Sequence, residues 1–304
     1  ELRTRPTLQA LQRVARAGLL IDLKREADAR TDIDYLAETA PGEPRAAYLR
    51  ALLAARQGDR QAATAALGEV VTLVDALPPK WLARREQILM AGALSHHALG
   101  NREKASEYLR IIIGNSDRNL GARKLLAAIH VETKDYRSAL PLLEALYKAN
   151  PQDPQVMYLL GSVHMAQRRY QLASEFLEKA AGRTGSAEMS RALAFNQLNL
   201  GRNELGVASL EKAFAADPGD LQAGTTLAMM YARSGQTQKA IRTAEALVKR
   251  HPENLAILNF LASVKLAAGD TAGARAAYTQ VLAKDRTFRA AELNLVKLDV
   301  SENR

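Results

Sequence analysis

Residues Leu221 to Asn254 read LQAGTTLAMMYARSGQTQKAIRTAEALVKRHPEN, and the next 34 residues repeat the pattern of this stretch in register. The following segment, Leu255 to Phe288, reads LAILNFLASVKLAAGDTAGARAAYTQVLAKDRTF. In both segments an apolar helical stretch ends near a glycine, and a second helical stretch follows. A period of roughly 20 to 50 residues is typical of repeat proteins. The sequence therefore predicts a chain built from repeated helix pairs.

Copies of this pattern cover nearly the whole 304-residue chain, which is predicted to form one domain over 1–304. A short insertion, Pro78-Pro79-Lys80, follows the second copy. After the last copy, 289–300 is predicted to be a single helix that caps the stack, with Leu293, Leu295 and Leu298 on its inner side. The predicted repeats are 10–43, 44–77, 86–119, 120–153, 154–186, 187–220, 221–254 and 255–288.

Glycine and other small residues occur at fixed points of the repeat. Glycine adopts the left-handed conformation without strain, so it closes the first helix. A small residue five positions later, such as Ala240, lets the two helices approach closely. One pair cannot bury its apolar stripe alone, so neighbouring pairs must stack. The turn glycines are Gly58, Gly100, Gly201, Gly235 and Gly269.

These repeats resemble the tetratricopeptide family. The resemblance rests on Gly161, Ala173 and Ala180 in one copy, and on Ala228, Tyr231, Ala240 and Pro252 in another. It implies an all-α, right-handed superhelical solenoid of about eight helix-turn-helix repeats with a C-terminal capping helix. It also implies a protein-binding scaffold in which the first helix of each repeat lines a concave groove.

The resemblance also assigns particular residues to that groove. Five of the assigned side chains are Lys or Arg and one, Glu132, is acidic, so we expect an electropositive surface for acidic or extended peptide segments. Direct binding of an acidic polysaccharide is an alternative. The candidate binding residues are Arg45, Tyr48, Arg56, His97, Lys124, Tyr158, Arg191, Asn199, Arg233 and Asn259.

Nothing in the sequence nominates catalytic residues. Phosphate-binding loops, dinucleotide fingerprints, nucleophile elbows and H-E-x-x-H zinc motifs are all missing from the sequence. The chain has no cysteine, which excludes disulfides, thiolate metal ligands and a cysteine nucleophile. We therefore expect a protein that is not an enzyme and that needs no cofactor or metal. An accessory domain of a larger enzyme is the remaining alternative.

Three histidines, His96, His130 and His164, lie 34 residues apart at one position of consecutive repeats. Stacked helices are about 8–10 Å apart, whereas zinc needs each nitrogen at about 2 Å. Tyr231 holds the same position in a later copy. The three histidines are therefore predicted to be packing residues, whereas His97, one residue further on than His96, is predicted to face the groove.

Nucleic acid is a disfavoured partner, although the net charge is +9. The basic residues are spread along the chain, and helical repeats that read RNA bases need a recurring pair of polar residues at fixed positions. The corresponding position changes character from copy to copy: Tyr48, Met90, Lys124, Tyr158, Arg191, Thr225 and Asn259.

Two stretches carry a closer resemblance, GARKLLAAIHVETKDYRSALPLLEALYKANPQDPQVMYLLG and LASVKLAAGDTAGARAAYTQVLAKDRTFRAAELNLVKLDV. They are similar to the repeat lipoproteins of Gram-negative exopolysaccharide and PEP-CTERM sorting systems. That resemblance implies a longer parent protein, export to the periplasm and a lipid anchor on the outer membrane. No apolar run approaches the roughly 20 residues that span a bilayer.

Overall fold

The computed structural model describes residues 8–116 and 118–302, and the described chain is helical without a β-strand. The helices in chain order are α1 (Leu8–Asp22), α2 (Glu26–Thr39), α3 (Pro44–Arg56), α4 (Arg60–Asp75), α5 (Pro79–Leu82), α6 (Glu86–Ala98), α7 (Arg102–Asn115), α8 (Leu120–Glu132), α9 (Tyr136–Ala149), α10 (Pro154–Ala166), α11 (Tyr170–Thr184), α12 (Ala187–Asn199), α13 (Asn203–Ala216), α14 (Leu221–Arg233), α15 (Thr237–Arg250), α16 (Leu255–Ala267), α17 (Thr271–Lys284) and α18 (Arg289–Ser301). Each predicted repeat is a helix pair, so the all-α repeat prediction is confirmed.

The turn inside each pair is left-handed. The five predicted turn glycines have φ between 73° and 86°. Three repeats lack this glycine, and there Lys24, Lys134 and Arg168 take the same conformation, with φ of 60°, 61° and 60°. The geometry of the turn is therefore kept even where its preferred residue is missing.

The small-residue position sets the distance between paired helices. Ala240 and Ala274 are fully buried, as are Ala139 and Ala173. A Cβ atom on Gly206 would lie 2.6 Å from Cδ2 of Leu198 on the paired helix. Close approach of the two helices therefore depends on a small side chain at this position, as the sequence predicts, and at Gly206 even the Cβ atom of alanine would require Leu198 to shift.

The helices divide into two compact units, 1–149 and 150–304. The first unit contains α1–α9, and its largest apolar cluster includes Val70, Leu89 and Leu109. The second unit contains α10–α18, and its largest apolar cluster includes Leu210 and Tyr278.

The last helix differs from its prediction in one residue. Leu298 is buried, and Leu295 packs on the core of the second unit. Leu293, however, is 59% exposed, so its predicted inward placement is wrong. The buried side of α18 follows Ala291, Leu295 and Leu298 at spacings of four and three, which places Leu293 on a different side.

Candidate protein-binding surface

The first helices of consecutive repeats contact one another within each unit. In the first unit α1 contacts α3, and α3 contacts α6; in the second, α10 contacts α12, and α14 contacts α16. We call the surface that these helices present the first-helix face. All ten candidate binding residues lie on first helices, and each is at least partly exposed.

Arg45 lies on α3 in the first unit and is held by an acidic residue. Its Nε donates to Oε1 of Glu43 at 2.7 Å, and Glu43 is 6% exposed. A second nitrogen, Nη1, donates to Oε1 of Gln87 at the start of α6, 2.8 Å away. The hydrogen bond to Glu43 raises the pKa of Arg45 against the opposing effect of burial. The guanidinium thus ties two repeats together.

The other cations of this face in the first unit also have partners. Arg56 donates to the backbone carbonyl of Ile21 and lies 3.9 Å from the carboxylate of Asp22. Lys124 also interacts with another group of the protein. Tyr48 packs beside the apolar cluster, and burial raises its pKa.

His97 belongs to a three-residue cluster that connects three helices. Its Nε2 lies 3.0 Å from Oε1 of Glu132, while Arg102 Nε donates to Oε2 of the same carboxylate at 2.9 Å. Burial opposes ionisation of Glu132, but the hydrogen bonds from Arg102 and His97 outweigh it and lower the pKa. The carboxylate is therefore already balanced by two basic groups.

In the second unit, Tyr158 and Arg191 each bind an acidic residue at the N-terminus of the next first helix. The hydroxyl of Tyr158 donates to Oε1 of Glu188 at 2.9 Å, and burial together with Glu188 raises the pKa of Tyr158 to about 12. Arg191 Nη1 donates to Oδ2 of Asp220 at 2.8 Å. Asp220 also caps α14 by accepting from the amide of Ala223.

The remaining three candidates of the second unit form no ion pair with a described residue. Asn199 donates to the carbonyl of Phe195 on its own helix at 2.8 Å. Arg233 is exposed at the end of α14, and no ion pair holds it within the described chain. Oδ1 of Asn259 is shielded from solvent and has no hydrogen-bond partner among the described residues.

Two cations of the electropositive surface expected from the sequence, Arg45 and Arg191, are thus neutralised by neighbouring carboxylates. The acidic partners were not among the residues that the sequence assigned to the groove. Glu43 and Asp220 each precede a first helix, and Glu188 is the second residue of one. Acidic residues at helix N-termini are a readable sequence signal, because they accept hydrogen bonds from free amides there.

Sequence reasoning missed two apolar side chains on this face of the second unit. Phe195 lies one turn from both Arg191 and Asn199, and Met229 lies one turn from Arg233. They occupy the same position of consecutive repeats, 34 residues apart. Met229 is 45% exposed and Phe195 is half-buried. A large apolar residue at a repeat position that faces outward is the signal that would have identified them.

The three histidines each have different neighbours. His96 is buried, its Nε2 lies 3.1 Å from Oδ1 of Asp75, and its ring meets the Tyr108 ring edge-on. His130 Nδ1 lies 3.1 Å from Oδ2 of Asp135. His164 stacks on Phe176 with ring centroids 5.6 Å apart. Across the described residues, no group of three or more His, Asp or Glu side chains is placed to hold a metal.

Comparison with known proteins agrees with the geometry. A family model described as a tetratricopeptide repeat matches residues 125–188 and 225–287. These two stretches are thus tetratricopeptide repeats. The chain is 27% identical over 276 residues to Cellulose synthase operon protein C of Pseudomonas fluorescens (strain SBW25). The alignment covers 84% of this chain but 21% of that protein, so the chain spans about a fifth of the relative's length.

Two solved structures share the fold of this chain. YrrB, described as a TPR protein with an unusual peptide-binding site, superposes with a TM-score of 0.52 at 16% identity, over 63% of this chain and 99% of YrrB. The APC/C hetero-tetramer Cut9–Hcn1 gives a TM-score of 0.63 at 14% identity, over 82% of this chain and 48% of the matched chain. In the described part of the chain, no helix combines the length and apolar character needed to cross a membrane.

Proposed function

We propose that this chain is a non-enzymatic scaffold that holds a protein partner on the first-helix face of its second unit. The observation that carries the proposal is the exposure of Met229, with Phe195 at the equivalent position of the preceding repeat. Exposed large apolar side chains with polar neighbours are typical of interaction surfaces, where a few such residues supply most of the binding energy.

The hydrogen bonding of the charged groups supports a protein partner over an acidic polysaccharide. A polyanion would need free cations, yet Arg45 and Arg191 are bound to carboxylates that lie mostly out of solvent. Breaking such a pair leaves a charge without its partner, which is costly. A protein segment can instead bury its apolar side chains against Phe195 and Met229 without disturbing these ion pairs.

We further propose that the scaffold serves exopolysaccharide assembly or export in the bacterial envelope, in the periplasm. The name of the Pseudomonas relative supports the exopolysaccharide part of this proposal, because it refers to a cellulose synthase operon. The sequence resemblance to repeat lipoproteins of exopolysaccharide systems points the same way. The partner would then be another protein of the same machinery.

Site-specific photo-crosslinking in an exopolysaccharide-producing bacterium tests this function. A photoreactive phenylalanine replaces Met229 on the first-helix face, and the matched control replaces Glu178, an exposed residue on the second helix α11 of the same unit. We expect residue 229 to form a discrete crosslink to a protein of the exopolysaccharide machinery, and residue 178 to form none. Equal crosslinking from both positions would contradict the proposal, as would a crosslink at 229 to polysaccharide alone.

A further inference from the structure

The connection between the second and third repeats contains a short extra helix, α5, which the repeat architecture does not require. Leu82 anchors it, because this side chain is 5% exposed and belongs to the apolar cluster of the first unit. The following turn is fixed by Asn115 of α7, whose Nδ2 donates to the carbonyl of Ala83 at 2.6 Å. The insertion is therefore held rigidly rather than looped out.

The insertion forms one wall of a surface cavity of about 560 Å³. Sites for small ligands commonly have volumes of roughly 300–1,000 Å³, so the cavity has room for a sugar-sized group. Its lining residues are Lys80, Ala83, Arg84, Glu86 and Asn115.

The cations of this cavity differ from those of the first-helix face. Lys80 and Arg84 are exposed, they are four residues apart, and neither forms an ion pair with any residue that the structure describes. Two free cations on one wall make a site for an anionic group, because each can donate charge-assisted hydrogen bonds.

Two other lining residues, Glu86 and Asn115, offer hydrogen-bond acceptors. Glu86 uses Oε1 to accept from Asn119 at 2.5 Å, and no described residue donates to its Oε2. Asn115 uses its amide nitrogen to hold Ala83, and no described residue donates to its Oδ1. A ligand that pairs with these free acceptors carries hydrogen-bond donors, which phosphate dianions and simple carboxylates lack.

We propose that this cavity binds an acidic sugar residue, a uronic acid, with its carboxylate on Lys80 and Arg84 and its hydroxyls on Glu86 and Asn115. A uronic acid carries a carboxylate and several hydroxyl donors on one ring, so a single sugar residue offers a partner both to the cations and to the acceptors of the lining. An acidic peptide separates its side-chain carboxylate from its backbone N–H donors, and therefore matches the cavity less well. The site is independent of the protein partner proposed above.

The same short helix supplies a reporter for binding. Trp81 is the single tryptophan of the chain, and its side chain is 40% exposed next to Lys80. The guanidinium of Arg85 lies over its ring at 3.9 Å from the centroid. Indole emission responds to nearby charge, so a ligand carboxylate on Lys80 and Arg84 changes the fluorescence of this residue alone.

The test is a titration of the full chain with trigalacturonic acid, followed by Trp81 fluorescence and by isothermal calorimetry. We expect saturable binding that weakens about tenfold or more in the K80E/R84E variant, since two charge-assisted hydrogen bonds are lost. We also expect cellotriose, which has no carboxylate, to bind at least about tenfold more weakly. Circular dichroism of each variant checks that the helices are intact.

The matched control is K179E/R183E. These residues have the same types and the same spacing of four, lie exposed on α11 of the second unit, and should leave affinity unchanged. The proposal is overturned if calorimetry detects no binding, if both double variants weaken binding equally, or if K80E/R84E binds as well as the unmodified chain. The proposal is also overturned if triglutamate binds at Lys80 and Arg84 as tightly as trigalacturonic acid or more tightly, because the preferred ligand would then be an acidic peptide.

Discussion

Three basic residues, Lys24, Lys134 and Arg168, hold the left-handed turn conformation that glycine holds in other repeats. For residues with a Cβ atom this conformation costs roughly 1–2 kcal/mol. The cost is tolerated because the paired helices on either side fix the turn. The sequence shows which repeats lack the glycine. It does not show that the left-handed conformation is kept there, because helix packing fixes that conformation against the intrinsic preference of Lys and Arg.

Lys134→Gly should therefore stabilise the protein by about 1 kcal/mol, because glycine removes the strain at φ 61° and loses only part of that gain to backbone entropy. Urea denaturation at equilibrium measures the change. The matched control is Glu144→Gly, an exposed position inside α9, where glycine should cost about 1 kcal/mol. Destabilisation by both substitutions would contradict the role given to the turn.

Asp32 is a buried carboxylate that two arginine side chains hold. Its side chain is fully buried between α1 and α2, where Arg16 Nε donates to Oδ2 at 2.6 Å and Arg13 Nη1 donates to Oδ1 at 2.7 Å. The hydrogen bond from Arg16 is the main cause that lowers the pKa of Asp32 against the opposing effect of burial, and Arg13 adds to it. The carboxylate is thus more stable ionised in the folded protein than in the unfolded chain.

A lowered folded-state pKa means that the stabilisation is complete above the unfolded pKa of about 4 and is lost as pH falls through the lower folded value. Asp32→Asn should cost about 2 kcal/mol at pH 7 and less below pH 4. Thermal unfolding between pH 7 and pH 3 measures this. Asp34→Asn is the control, since Asp34 is exposed on the same helix. A cost for Asp32→Asn that stayed constant down to pH 3 would contradict the assignment.

At the scale of elements, the repeat register could be predicted from the sequence because glycine, alanine and proline recur at fixed spacing. The orientation of α18 could be predicted only in part. Leu293, Leu295 and Leu298 are all apolar, and sequence alone does not tell which of three closely spaced apolar residues faces the core. Packing against the preceding pair buries Leu298 and leaves Leu293 exposed.

The register itself can be tested at Ala240, which is fully buried at the close approach of α14 and α15. Ala240→Phe should destabilise the protein by about 1–3 kcal/mol through overpacking. Arg242→Phe, on the exposed side of the same helix, should change stability by about 0.5 kcal/mol or less. Chemical denaturation of both variants measures the difference, and equal effects would mean that the helix pair is assigned in the wrong register.

For the molecule as a whole, each unit has its own apolar core, so local damage should remain local. Leu210→Ala removes a fully buried side chain from the second unit and should cost about 2–5 kcal/mol. Hydrogen exchange should then speed up in α12–α15 and stay slow in α6 and α7 of the first unit. Uniformly faster exchange in both units would show that they unfold together.

The charge of the candidate surface is the part that the sequence predicted least well. Counting residues on the first helices gave an excess of cations, but charge balance depends on neighbours in space. Glu43 and Asp220 lie just before first helices and pair with Arg45 and Arg191, so they neutralise part of that surface. The apolar contribution of Phe195 and Met229 could not be predicted from the sequence either, because it depends on how far the fold exposes these two side chains.

In the proposed function, apolar contact on the second unit, rather than positive charge, holds the protein partner. The most direct measurement is the affinity of the crosslinked partner for F195A/M229A and for R191E/R233E, at 0.1 M and 0.5 M salt. We predict that F195A/M229A weakens binding about thirtyfold, as the loss of about 2 kcal/mol implies, and that added salt changes affinity by less than about threefold. Binding that survives F195A/M229A but is lost in R191E/R233E and at high salt would contradict the account.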